Sequence, residues 1–210
     1  MADCHRTERE GGRPLPGQAY PRLLQGRRPL LVALLAALPA ACASPNPTLY
    51  TLAVVPGAEH AGAPRVIELR AIAVAHYLER SQIVRSSEDL RLDVLGSDWW
   101  GEPLDAMLGR VLSQEVTQRL PGSTVYGENG AITANAGATV AINVQRLDAD
   151  ASGAVVLIAQ VAVTSARDSA TRTVRYAVSP TAAGTSGLVS AMSSAVGQLA
   201  DTVAALVAAR

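Results

Sequence analysis

Pro103-Leu104-Asp105-Ala106-Met107-Leu108-Gly109-Arg110-Val111-Leu112-Ser113-Gln114-Glu115-Val116-Thr117-Gln118-Arg119-Leu120-Pro121-Gly122 is the stretch that decides the fold class. Leu104, Met107, Leu108, Val111, Leu112, Val116 and Leu120 recur at three- and four-residue steps, the spacing of one helical face. Such a face has to be buried against another element. Pro103 suits a first-turn position, and Asp105 puts a carboxylate where the helix dipole favours one. Pro121-Gly122 ends the helix.

Three strands are expected after it. Thr139 to Leu147, Ala154 to Ser165 and Thr171 to Ser179 alternate apolar and polar residues, with turns at Asp150-Ala151-Ser152-Gly153 and Arg167-Asp168-Ser169. They read as an antiparallel meander with one covered face. Gly130 to Ala138 reads as a loop. A closing helix, capped by Thr185 or Ser186, carries the stripe Leu188, Met192, Ala195, Val196, Leu199, Val203, Leu206, Val207. Before the first helix, Val66 to Val74 reads as a strand. Gln82 to Ser86 and Leu90 to Val94 form a hairpin about Ser87-Glu88-Asp89. The expected fold is α+β: a single domain, residues 65–210, with an antiparallel sheet of five to six strands and two long helices packed on it.

The N-terminal part has a different character. Arg27-Arg28 precede the apolar run Leu30 to Leu38, then Pro39-Ala40-Ala41-Cys42. That is the charged, apolar and small-residue layout of a secretory signal, and the run is shorter than the roughly 20 residues that span a bilayer. Ala40, Ala41 and Cys42 resemble a lipobox, in which the cysteine is diacylated and the chain is cut just before it. Pro39 stands where that pattern usually has leucine. Residues 1–41 are accordingly an N-terminal extension and signal peptide, and Cys42 is the lipid attachment site. Ala43, not the aspartate that retains lipoproteins at the inner membrane, points to the outer membrane. Residues 42–64, with prolines at 45, 47, 56 and 64, read as an extended tether containing a candidate first strand at Leu49-Tyr50-Thr51-Leu52-Ala53-Val54-Val55.

After such a cut the chain keeps twelve arginines, no lysine and fifteen acids. A net charge near −3 argues against nucleic acid as a partner. No intrachain disulfide or cysteine-held metal site remains, and no cofactor is implied. Catalytic material is sparse. Of the histidines only His60 and His76 follow the signal, and Glu88-Asp89 and Asp148/Asp150 lie in hydrophilic turns that read as solvated charge. No nucleophile elbow, phosphate loop or metal-spaced histidine pair appears, so a non-enzymatic role is expected.

Two stretches are more specific: His76-Tyr77-Leu78-Glu79-Arg80-Ser81-Gln82-Ile83-Val84-Arg85 and Trp99-Trp100-Gly101-Glu102-Pro103-Leu104. One tryptophan is expected in the core and the other against a partner, since tryptophan is enriched at interface hot spots; the alternative is that both seal the sheet–helix junction. Glu79, Arg80 and Arg85 are expected to pair with Glu102 or Asp98. These stretches resemble the PqiC-like, or ABC-type transport auxiliary, lipoproteins, whose pattern is Tyr-Leu-Asp-Arg-Pro-Gln-Ile-Val followed by Trp-Ala-Glu-Pro-Leu. Tyr77, Leu78, Arg80, Gln82, Ile83, Val84, Trp100, Glu102, Pro103 and Leu104 match; Glu79, Ser81 and Gly101 depart. The resemblance implies a periplasm-facing, lipid-anchored outer-membrane subunit that docks an MCE-domain protein in intermembrane lipid transport and supports envelope integrity. Tyr77, Leu78, Arg80, Gln82, Trp99 and Trp100 become its candidate partner-binding residues. A homo-oligomeric ring would suit a tubular partner. The alternatives are an envelope adaptor that activates cell-wall synthesis, a periplasmic hydrolase using His76, and a lipid-binding shuttle.

Overall fold

The computed structural model describes residues 46–128, 130 and 134–210; Cys42 and the segment before it lie outside the described residues. The strands are β1 (Thr48–Tyr50), β2 (Val66–Leu69), β3 (Ala73–Val74), β4 (Gln82–Ser86), β5 (Asp93–Trp100), β6 (Thr124–Gly127), β7 (Ala138–Ala149), β8 (Val155–Ser165) and β9 (Ser169–Val178). The two helices are α1 (Leu104–Arg119) and α2 (Gly184–Ala208). Every apolar stripe position anticipated on them is buried. Each such leucine or valine contributes about 1.5–3 kcal/mol on burial, so packing rather than helix propensity holds the helices. By length and composition α2 is apolar enough to cross a membrane, but most of it is buried within the domain.

The fold is α+β as expected, but the sheet differs in two ways. It has nine strands among the described residues, and it is mixed rather than antiparallel. β7, β8 and β9 form the anticipated antiparallel meander. The other edge of β7 accepts β2, β3 and β4 in succession, all parallel to it. Parallel neighbours require a crossover, and α1 with β6 supplies it between β2 and β7. β6, which the sequence did not suggest, pairs in parallel with β2, and β1 pairs in parallel with β5. The expected strand Val66 to Val74 is split into β2 and β3, with Glu128 accepting from Ala71 N (3.0 Å) between them.

The hairpin turn is longer than Ser87-Glu88-Asp89, because β5 starts only at Asp93 and runs on through both tryptophans. α2 has Ala183, not Thr185 or Ser186, at its cap position with no side-chain cap bond. The Thr185 hydroxyl instead donates to Asp98 Oδ2 at 2.5 Å, fastening the helix to β5.

The largest departure concerns the tether. β1 is the candidate first strand, shorter than anticipated. Residues 52–60 then follow the groove between α1 and α2 instead of hanging free. Leu52 is buried, and its N–H faces Met107 Sδ at 3.2 Å. Ala53 N donates to Ser193 Oγ (3.0 Å), Val55 N to Glu115 Oε1 (2.7 Å) and His60 N to Arg119 O (2.7 Å). Proline-rich composition favours an extended path, but an extended path laid on a helix pair still needs its backbone groups satisfied. Here helix side chains and the Arg119 carbonyl satisfy them. Residues 52–60 are therefore packed into the same compact unit as the two helices.

Candidate functional site

The His76–Val84 and Trp99–Leu104 stretches, some twenty residues apart in the chain, meet in space. Gln82 pairs with Trp99 across the β4–β5 ladder, and Trp100 N donates to Ser81 O at 2.7 Å. Beside that junction opens a cleft of about 800 Å³. Its apolar floor includes Ile72, Trp100 and Leu104, and its rim carries His76, Glu79, Arg80, Glu102 and Asp105. An apolar floor inside a rim of both charge signs has the layout of a protein interface.

The six candidate partner-binding residues divide between structural and surface positions. Leu78 is 3% exposed and Trp100 6% exposed; both belong to the core. Trp99 is half-buried, with Nε1 donating to Gly96 O at 3.1 Å. Gln82 is half-buried at the ladder end, and Arg80 is exposed, its Nε donating to Tyr77 O at 2.9 Å. Tyr77 is half-buried and donates its hydroxyl to Asp148 Oδ2 at 2.7 Å. Burial, reinforced by that hydrogen bond to a carboxylate, pushes the Tyr77 phenol well above its usual range.

The loop-to-helix ion pairs expected of Glu79, Arg80 and Arg85 are replaced by local ones. Glu79 accepts from His76 Nδ1 (2.9 Å), and Glu102 pairs with Arg110. Arg85 Nε donates to Asp93 Oδ2 at 2.6 Å. Glu79 also raises the His76 pKa, first through the hydrogen bond and then through its charge. That imidazole stands in solvent on the rim of the cleft.

Asp148 is not the solvated turn residue that its sequence suggests. It is fully buried and accepts from Tyr77 Oη, Ser87 Oγ (2.8 Å) and Arg146 Nε (2.9 Å). One carboxylate thus ties the 3-10 turn His76–Leu78 and the base of the β4–β5 hairpin to β7. Tyr77→Phe is expected to lower stability by about 1.5 kcal/mol, the low end for a bond to a charged acceptor, because two donors remain on Asp148. Urea unfolding at neutral pH measures it.

A second buried polar group went unread in the sequence. Glu115 and Arg119 are both fully buried, one turn apart on the packed face of α1. Arg119 donates to Asp201 Oδ1 (2.5 Å), Val55 O (3.0 Å), Gly197 O (3.1 Å) and Glu115 O (3.2 Å). Two glycines make room for this lock. A Cβ on Gly57 would stand 2.3 Å from Arg119 Nε, and one on Gly197 would stand 2.9 Å from Val55 Cβ. The available signal was a charged pair at i, i+4 inside an otherwise apolar stripe.

The family model for the ABC-type transport auxiliary lipoprotein component matches residues 50–204, nearly the whole described domain. The chain belongs to that family. The match begins within β1, so the segment between α1 and α2 is part of the auxiliary lipoprotein domain rather than a linker before it. Two solved structures share the fold. A crystal structure of an uncharacterized protein is 19% identical, with a TM-score of 0.65, covering 77% of this chain and 98% of its own. A Xanthomonas campestris protein of family DUF330 is 16% identical, with a TM-score of 0.60, covering 76% of this chain and 93% of its own. No curated protein matches in sequence. The family is a transport auxiliary component rather than an enzyme family, and as a lipoprotein family it belongs to the cell envelope.

Proposed function

We propose that this auxiliary lipoprotein is held at the outer membrane by an acylated Cys42 and receives an MCE-domain protein of an intermembrane lipid transporter at the cleft floored by Trp100. The observation that carries this reading is the convergence of the two family-like stretches on one apolar-floored, charge-rimmed cleft. Trp100 floors the cleft, while Arg80, Glu79 and Glu102 on its rim offer the contacts. The amphipathic faces of α1 and α2 are spent on the sheet and on each other, which favours a docking role over a lipid shuttle.

The anchor works at short range. Only residues 43–47 lie between Cys42 and β1, a reach of about 20 Å when fully extended. Cys42→Ala is expected to leave the domain folded and to move it from the membrane to the soluble periplasmic fraction. Membrane retention of the variant would overturn the anchor. Affinity capture of the wild-type protein from detergent-solubilised membranes is expected to bring down the MCE-domain protein. Recovery of a peptidoglycan synthase instead would favour the cell-wall adaptor.

A further inference from the structure

The β4–β5 hairpin ends in Ser87-Glu88-Asp89-Leu90-Arg91-Leu92. Leu90 is entirely exposed and Leu92 is 45% exposed, two of the four large apolar side chains on the described surface. Asp89 and Leu90 have φ of +53° and +61°, and they are the only non-glycine residues with positive φ among those described. A leucine in the left-handed region is an outlier, and such strain persists where the surroundings impose it and clusters at functional sites. Here the strained turn lifts an apolar side chain clear of the fold.

The surroundings of the tip carry little net charge. The β7–β8 turn and the loop leading into α2 reach the same end of the sheet, where Ser86 pairs with Ala149 and Val155 with Val178. Their exposed residues are Ala151, Ser152, Gly153, Ser179 and Thr181 to Ala183. The charged groups at this end are largely satisfied. Glu88 pairs with Arg146, Arg85 with Asp93, and Asp150 accepts from the backbone of its own turn. Asp89 and Arg91 remain, with opposite signs.

The direction of β1 says what this end faces. β1 runs parallel to β5 with Thr48 level with Asp98, so the chain enters from the hairpin side. Five residues separate Thr48 from Cys42, and five separate Asp98 from Leu92 at the hairpin end of β5, so the link is about as long as the distance from β1 to the tip. We infer that the Leu90–Leu92 tip seats in the lipid surface that holds the acyl chains of Cys42, a second contact that fixes the domain's orientation. This rests on the anchor reading above. A lipid anchor on a short link limits distance but leaves the domain free to rotate, whereas a second apolar contact removes that freedom. The cleft, at the Trp100 end of eight-residue β5, is then held roughly 25 Å from the membrane.

The test uses the mature, acylated protein, in which Cys42 is the only native cysteine and is blocked by lipid. Leu90→Cys, and separately Leu92→Cys, would carry an environment-sensitive NBD label. Thr171→Cys, exposed near the opposite end of the sheet, is the control. The proteins are reconstituted into phosphatidylethanolamine/phosphatidylglycerol vesicles and recovered by flotation. The tip labels are expected to be quenched by lipid-borne nitroxide and to be several-fold less accessible to aqueous iodide than the control. Equal iodide quenching at 90, 92 and 171 on floated protein would overturn the tip contact while leaving the anchor standing. Protection from iodide without nitroxide quenching would also overturn it, because a protein surface would then be the cover. Absence of acyl mass on Cys42, with no flotation, would remove anchor and inference together.

Discussion

Replacing Arg119 with alanine is expected to lower the stability of the domain by about 3–5 kcal/mol, the usual consequence of removing one member of a buried charged network. The guanidinium is 1% exposed and bonds four groups at once: Asp201 on α2, Gly197 O on α2, Val55 O on the segment between the helices, and Glu115 O on α1. Its loss leaves those carbonyls short of a donor, opens a cavity and strips Glu115 of its nearest positive charge. For a domain of this size each kcal/mol corresponds to about 2–4 °C, so the melting temperature should fall by roughly 6–20 °C. Residues 52–60 should also become sensitive to limited proteolysis before the rest of the domain unfolds. A melting temperature within two degrees of wild type would show that the segment is not locked to the helices.

A change of pH should act on the same lock with a definite sign. Burial pushes the Glu115 carboxyl up to about 7; the N–H of Val55 and the charge of Arg119 oppose the shift, and Asp201 adds to it. Glu115 Oε2 has no partner among the described residues, so ionisation leaves a charged oxygen unsatisfied. An acid whose pKa is higher folded than unfolded binds more protons in the native state. Its contribution is therefore fully present below about 4.5 and is lost as pH rises through about 7. The expected difference between those limits is on the order of 3 kcal/mol. Glu115→Gln keeps the acceptor for Val55 N and removes the titration. Its stability should be nearly flat from pH 5 to pH 8, where the wild type declines, and urea midpoints across that range compare the two. A decline of equal slope in both proteins would place the titrating group elsewhere.

The parts of the fold that were legible in the sequence are those with local periodicity. The stripes of α1 and α2 repeat every three or four residues, and β7, β8 and β9 alternate every two, so each element announces which face it buries. The pairing of distant strands leaves no such mark. Ile67 lies opposite Ala138, and nothing near either residue records that the two run parallel. The packing of residues 52–60 leaves no local mark for a related reason. Its prolines mark extended chain correctly, but the groups that hold it (Ser193, Glu115 and Arg119) lie 60 to 140 residues away. Asp148 has hydrophilic neighbours in sequence, whereas its partners Tyr77 and Ser87 come from another part of the chain. At the candidate site, the resemblance singled out two stretches that come together in space, with Gln82 opposite Trp99. It could not tell Leu78 and Trp100, which build the core, from Arg80 and Trp99, which reach the surface.

The docking role is tested most directly by photo-crosslinking in living cells, with a photoreactive amino acid placed at Arg80 on the cleft rim and, as control, at Thr171. The account predicts an adduct from position 80 to an MCE-domain protein, and none from position 171. An adduct to a peptidoglycan synthase, or equal labelling from both positions, would contradict it.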